Sequence, residues 1–218
     1  GWGVADRTFL GFQWIAADDS ITRERVETNY EQDPRLAMLV ARQFTKRNGT
    51  LISSLDVDNR QYKCDEAGCA EDTTMNLKAP KLVRPARTTK LRLDGSVILR
   101  EISNLTYDSY GNRTRESTII TGNGSATPIT KTRVSDYVNS TANPRIIGVQ
   151  CASREFSGSD DDTGIISSTR LYFDGAATHC SFSDSSSLMR VTKSGQYLGN
   201  NQWAPTTMSY DLWGNVVR

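Results

Sequence analysis

Short alternating apolar runs, each cut off by a turn pair, leave this chain room for little except antiparallel sheet. Leu10, Phe12 and Trp14 alternate with Gly11 and Gln13, and Val26, Thr28 and Tyr30 repeat the pattern. A period of two places one set of side chains on one face of a strand, so each run predicts a strand with one buried face. Asn48-Gly49 predicts a type I′ hairpin, because that pair accepts two positive φ angles. Leu51, Ser53, Leu55 and Val57 then form the returning strand, with a register shift near Asp56. Residues 36–44 suit a strand or a helix. Further strands are expected at 90–93, 97–105, 115–121, 129–138, 146–153, 165–173, 188–192 and 206–210, at roughly 10–15-residue spacing with turn signals between them. The expected fold is all-β, an antiparallel meander without βαβ units. Three regions are expected: an N-terminal hairpin region at 1–62, an irregular loop or insertion at 63–89 with Cys64, Cys69, Pro80 and Pro85, and a repetitive sheet region at 90–218.

Composition narrows the function classes. Basic and acidic residues number 26 and 25, a net charge of +1 that provides no field for capturing nucleic acid or an anionic membrane. The longest apolar run, Leu36 to Ala41, is six residues, too short for a membrane-spanning helix. Hydrophobic residues make up 37%, below the globular average, which fits exposed β-structure better than a thick core. The chain opens at Gly1 and closes at Arg218 just after a turn motif, and is expected to be a segment of a longer polypeptide. Its one histidine, His179, is the only residue around which a Ser-His-Asp or Cys-His arrangement could form, and a three-histidine zinc site is excluded.

One motif occurs twice. Tyr107-Asp108-Ser109-Tyr110-Gly111-Asn112 and Tyr210-Asp211-Leu212-Trp213-Gly214-Asn215 share the pattern Tyr-Asp-x-aromatic-Gly-Asn. Asp at the first corner of a type I turn can accept backbone N–H bonds, and Gly three residues later suits the last corner. Each copy therefore predicts a strand–turn–strand unit, with the leading Tyr ending a strand and the second aromatic packed beside it as a clasp.

The two copies resemble the YD repeats of the Rhs family, and most closely those of the B and C components of bacterial Tc insecticidal toxins and SpvB-like proteins. Arg7-Thr8-Phe9-Leu10-Gly11-Phe12 is similar to the block that precedes those repeats, and Tyr30-Glu31-Gln32-Asp33-Pro34 to the one that follows it. Ser135 to Asn139 with Ile146-Ile147-Gly148, and Arg170-Leu171-Tyr172-Phe173-Asp174-Gly175, resemble later family segments in the same order. Thr8 replaces a family glycine, Pro144-Arg145 stand where a Trp is expected, and 63–89 matches no family pattern. The resemblance implies one section of a curved, spiralling β-shell that encloses a C-terminal effector. It implies a secreted or cell-surface place within a larger bacterial toxin, and the partners it implies are neighbouring shell segments and the enclosed effector. On this reading the segment catalyses nothing and needs no cofactor or metal. The family's autoprotease aspartates map onto no block here. The alternative is a carbohydrate- or cell-surface-binding module using exposed Trp and Tyr, with Trp203 and Trp213 as the glycan contacts.

The remaining candidates are weighed on their residues. Four cysteines admit two disulfides, most simply Cys64–Cys69 and Cys151–Cys180, or free thiols. Zinc held with His179 is the poorer option, since adjacent His179 and Cys180 would point to opposite faces of a strand. Asp160-Asp161-Asp162 sits in a Ser/Gly loop and reads as a solvated turn, and residues 81–92 as a solvated basic stretch without interleaved aromatics. Asn-x-Ser/Thr sequons at Asn48, Asn104, Asn112, Asn123 and Asn139 are what so Ser/Thr-rich a composition supplies. Trp2, Trp14, Trp203 and Trp213 are read first as packing residues.

Overall fold

The structure, a computed structural model, describes residues 12–33, 36–65, 68–73, 82–95, 97–122, 127–140, 146–158, 164–181 and 189–217, and thirteen strands account for most of these described residues. They are β1 Trp14–Asp19, β2 Glu24–Tyr30, β3 Val40–Arg47, β4 Thr50–Asp65, β5 Gly68–Glu71, β6 Leu82–Asp94, β7 Val97–Tyr107, β8 Arg113–Thr121, β9 Ile129–Ser140, β10 Ile146–Ser157, β11 Ile165–Phe173, β12 Val191–Gly199 and β13 Gln202–Thr207. The strand order in the sheet is the chain order, except that β5 leaves the path and pairs β4. The fold is an all-β antiparallel meander. No helix among the described residues is long and apolar enough to cross a membrane.

Local chemistry explains the hairpins. Asn48 and Gly49 have φ values of 50° and 80°, the paired positive angles of a type I′ turn, and Arg47 pairs with Thr50 across it. Asn200 and Asn201, at 48° and 58°, do the same between β12 and β13, closed by the Gly199–Gln202 pair. Before β2 the Asp19 carboxylate accepts the N–H groups of Ile21 and Thr22, at 2.8 and 3.3 Å. These bonds hold its pKa below the ordinary value, the Ile21 N–H foremost.

The chain divides into two compact units, residues 1–111 with 118–130, and residues 112–117 with 131–218. Among the described residues of the first unit, the buried side chains are Asn59, Gln61, Asp72 and Ser103, all polar. Asn59 Nδ2 donates to the Val40 carbonyl at 2.8 Å, and Ser103 shares a 2.9 Å hydrogen bond with Thr118, so their burial is compensated. Stability in this unit comes mainly from paired backbone and cross-strand side chains such as Lys46–Glu27 at 2.9 Å. The Lys46 hydrogen bond is the main cause of a lowered Glu27 pKa. The second unit holds an apolar cluster: Val138, Cys151 and Phe173 are buried, with Val149, Leu171, Met189 and Val191 packed against them.

Several expectations change. Residues 63–89 are largely strand where they are described: β4 runs on to Asp65, β5 follows, and β6 begins at Leu82 and passes through Pro85. Pro85 is accommodated because the β4–β6 register shifts between Asp58 and Asn59, and Asn59 pairs with Pro85 while Asp58 pairs with Arg87. Proline in a sheet interior is found at such bulges. Residues 36–38 form a turn, with Met38 at φ 68°, and the strand starts only at Val40. β1 begins at Trp14 and leaves Phe12 outside it, 67% exposed, so the expected buried face at 10–14 is not formed by the described residues. β12 and β13 fall at 191–199 and 202–207 rather than 188–192 and 206–210.

Candidate functional site

The two copies of the repeated motif fold alike. In the first, the Tyr110 N–H donates to Asp108 Oδ1 at 2.9 Å and the Gly111 N–H to the Asp108 carbonyl at 3.0 Å. In the second, the Trp213 N–H donates to Asp211 Oδ1 at 2.9 Å and the Gly214 N–H to the Asp211 carbonyl at 3.1 Å. Each Asp thus closes a turn through side chain and main chain together. Gly111 and Gly214 sit at φ 81° and 88°, where a side chain is strained. At Gly111 a Cβ would also lie 2.8 Å from Leu82 Cδ1.

The leading tyrosines share a role that the pattern alone did not suggest. Tyr107 Oη donates to the Pro85 carbonyl at 2.7 Å, and Tyr210 Oη to the Val191 carbonyl at 2.9 Å. Pro85 lies on β6, before β7; Val191 lies on β12, before β13. Tyr107 ends β7 and Tyr210 follows β13, and each ties that strand to the one before it. The expected aromatic clasp is not the device used. Tyr110 is 41% exposed and Trp213 84% exposed, while Tyr107 meets the Tyr62 ring at 5.9 Å and Tyr210 lies under Arg190, whose Cζ is 5.5 Å from its centroid. A turn this tight aims its third residue outward.

The motif's last residue differs between copies. Asn215 turns back, its Nδ2 donating to Asp211 Oδ2 at 2.8 Å and its N–H to Oδ1 at 2.8 Å. This side-chain amide is the main cause of a lowered Asp211 pKa. Asn112 instead donates to Asn139 Oδ1 at 3.1 Å, and the same oxygen accepts the Gly148 N–H at 2.9 Å. Two of the five sequons, Asn112 and Asn139, are therefore engaged with each other; Asn48 and Asn104 are exposed.

A third aspartate does related work. Asp174, at φ 49°, accepts the N–H groups of Met189 and Arg190 on its two oxygens, each at 3.1 Å. It ties the end of β11 to the residues just before β12. The chain between β11 and β12 is also tied by Cys151–Cys180, Cα atoms 5.0 Å apart. Cys64 and Cys69, paired across β4 and β5, form the other disulfide.

The tryptophans separate. Arg170 Cζ lies 3.9 Å from the Trp203 ring centroid, and Tyr197 meets that ring edge-on at 5.5 Å. Trp203 Cε3 lies 3.3 Å from where a Gly195 Cβ would stand, so the ring fills space left by a strand glycine. That makes Trp203 a packing residue with one face covered by a guanidinium. Trp213 is open to solvent, and Trp14 is 54% exposed on β1.

The chemistry around His179 is sparse. Its ring meets Tyr172 edge-on, with centroids 6.2 Å apart, and no hydrogen-bond partner reaches it among the described residues. Burial, then the Arg170 charge, holds its pKa below the ordinary value. Among the described residues no group of three or more His, Cys, Asp or Glu converges as a metal site would. An open groove of about 600 Å³ on the first unit is lined by Arg42, Asp56, Asp58, Arg87 and Arg100, and there Arg42 pairs with Asp56. Trp2, residues 7–11, Lys81, Asn123, residues 144–145 and Asp160 to Asp162 lie outside the described residues. Comparison with family models, curated proteins and solved structures finds no match to this chain.

Proposed function

We propose that the chain is a structural wall segment of an Rhs/Tc-type toxin shell, which encloses a C-terminal effector and catalyses nothing itself. The observation that carries this reading is the equivalence of the two repeated turns, each bonded through its aspartate and each pinned to the preceding strand by its tyrosine hydroxyl. A sheet built by repeating such a unit gains its order from neighbouring strands and needs no thick core. The polar buried residues of the first unit support the same reading. Its partners on this account are adjoining shell segments and the enclosed polypeptide, in a secreted or cell-surface assembly. Limited proteolysis of the natural full-length polypeptide tests it. The expected result is a C-terminal region that resists protease while the strands are intact and is digested once they are unfolded. A C-terminal region cleaved at the same rate in both states overturns the reading.

A second reading, a carbohydrate-binding module, rests on Trp213, 84% exposed at the tip of the second turn. Trp203 contributes to it less, because Arg170 already occupies one face of its ring.

A further inference from the structure

The two disulfides differ in how deeply their sulfurs are buried. Cys151 is fully buried, packed with Val138 and Phe173 inside the apolar cluster of the second unit. Cys64 and Cys69 are half-buried, as Cys180 is, and lie at the end of β4 and on β5, outside that cluster. β4 pairs β6 only as far as Tyr62, and from Tyr62 to Asp65 its partner among the described residues is β5. Among the described residues β5 pairs no other strand. Among the described residues, 63–65 and 68–70 therefore pair as a two-stranded ribbon, an arrangement that is barely stable by itself in water. A covalent bond across the directly opposed Cys64–Cys69 pair holds it shut.

This ribbon lies against the first repeated turn. The Tyr62 ring meets the Tyr107 ring at 5.9 Å, and Cys69 Sγ sits 2.7 Å from the Asp108 carbonyl oxygen. Tyr107 and Asp108 are the first two residues of that turn, so whatever orders the ribbon also buttresses the turn.

We propose that Cys64–Cys69 is a thiol-exchange site, opened by a dithiol reductant that leaves Cys151–Cys180 closed, and that its opening loosens the turn at 107–112. The exchange balances as follows. One thiolate of the dithiol attacks a protein sulfur, a mixed disulfide forms, and the other cysteine leaves as a thiolate that takes a proton. The second thiol of the reductant then closes its own disulfide and releases the remaining cysteine. The protein disulfide is reduced by two electrons and the dithiol is oxidised by two. Attack at the buried Cys151 sulfur would take the thiolate into an apolar cluster, and attack at the half-buried Cys180 would release Cys151 as a thiolate inside that cluster, so both routes are disfavoured. The proposal goes beyond the encapsulation reading and stands independently of it.

Titrating the intact chain with dithiothreitol, trapping thiols with iodoacetamide and measuring each cysteine by peptide mass spectrometry tests it. Half-alkylation of Cys64 and Cys69 is expected at a dithiothreitol concentration at least about tenfold below that for Cys151 and Cys180. Amide exchange at 107–112 is expected to quicken at the same point, with 191–199 unchanged. A Cys64→Ser, Cys69→Ser double variant is expected to show the faster exchange at 107–112 without reductant. Simultaneous reduction of the two disulfides, or earlier reduction of Cys151–Cys180, overturns the selectivity. Unaltered exchange at 107–112 in both the reduced protein and the double variant overturns the coupling.

Discussion

The Tyr107 hydroxyl, on β7, donates to the Pro85 carbonyl at 2.7 Å, at the point in β6 where the register with β4 shifts. Pro85 has no N–H to give to the ladder, and its carbonyl is taken by a side chain from the next strand. Tyr210 repeats the bond to Val191 at 2.9 Å. Removing either hydroxyl leaves a partly buried carbonyl without its donor. Tyr107→Phe and Tyr210→Phe are each expected to cost about 1 kcal/mol in denaturant unfolding. Tyr110→Phe, at the exposed aromatic position of the same motif, is expected to change stability by less than about 0.5 kcal/mol. Equal effects at all three positions would contradict the pinning role.

The two turn glycines should respond unequally to alanine. Both hold positive φ, which costs a non-glycine residue about 1–2 kcal/mol. At Gly111 the new methyl would also collide with Leu82 at 2.8 Å, whereas at Gly214 the nearest atom is Arg190 Nη2 at 3.4 Å, the end of a flexible side chain. Thermal melts should therefore show Gly111→Ala as the more damaging substitution.

Acid should loosen the second turn. The Asn215 side-chain amide, with further help from backbone N–H groups, holds the folded Asp211 pKa below its unfolded value. A depressed folded pKa contributes stability that is complete above the unfolded value, about pH 4, and is lost as pH falls through the folded one. Amide exchange at 211–215 should quicken across that window, and Asp211→Asn should flatten the dependence. A wild-type turn unaffected by acid would contradict this linkage.

Trp203 and Trp213 should part in their effects. Trp203→Ala removes the ring that covers Gly195 and stacks with Arg170, and is expected to cost about 2 kcal/mol. Trp213→Ala is expected to leave stability within about 0.5 kcal/mol of wild type. Glycan-array binding that disappears only with Trp213→Ala would favour the carbohydrate module over the wall segment.

Loop length sets the expected worth of the disulfides. Cys151–Cys180 spans 29 residues and Cys64–Cys69 spans 5. Chain entropy alone predicts about 3.5 kcal/mol for the first and about 2 kcal/mol for the second. Paired serine variants in denaturant titrations should keep that order.

Much of this architecture could be read from residue types. Asn48-Gly49 specifies its own turn, and Ile165 to Phe173 is strand from end to end, because β-branched and aromatic residues lie between clear breakers. Illegible features were those in which a breaker is tolerated by a distant partner. Pro85 sits inside β6 through a bulge against β4, and Gly195 inside β12 because Trp203 covers it. Pro205 likewise stands within β13, opposite Gly195. Each looked locally like a strand end, which shortened or displaced the expected element. The repeated turns were legible as turns from their Asp and Gly, but the tyrosine's acceptor lies 22 residues away in one copy and 19 in the other, beyond any local pattern.

The central claim is that these strands form a repeat-pinned wall enclosing a polypeptide. Cryo-electron microscopy of the natural full-length product tests it most directly. The account predicts a sheet continuing past both ends of this strand order, with the Tyr107–Pro85 and Tyr210–Val191 bonds in place and one face turned toward an enclosed polypeptide. A closed sandwich, with both faces of the first unit packed onto an apolar core and nothing enclosed, would contradict it.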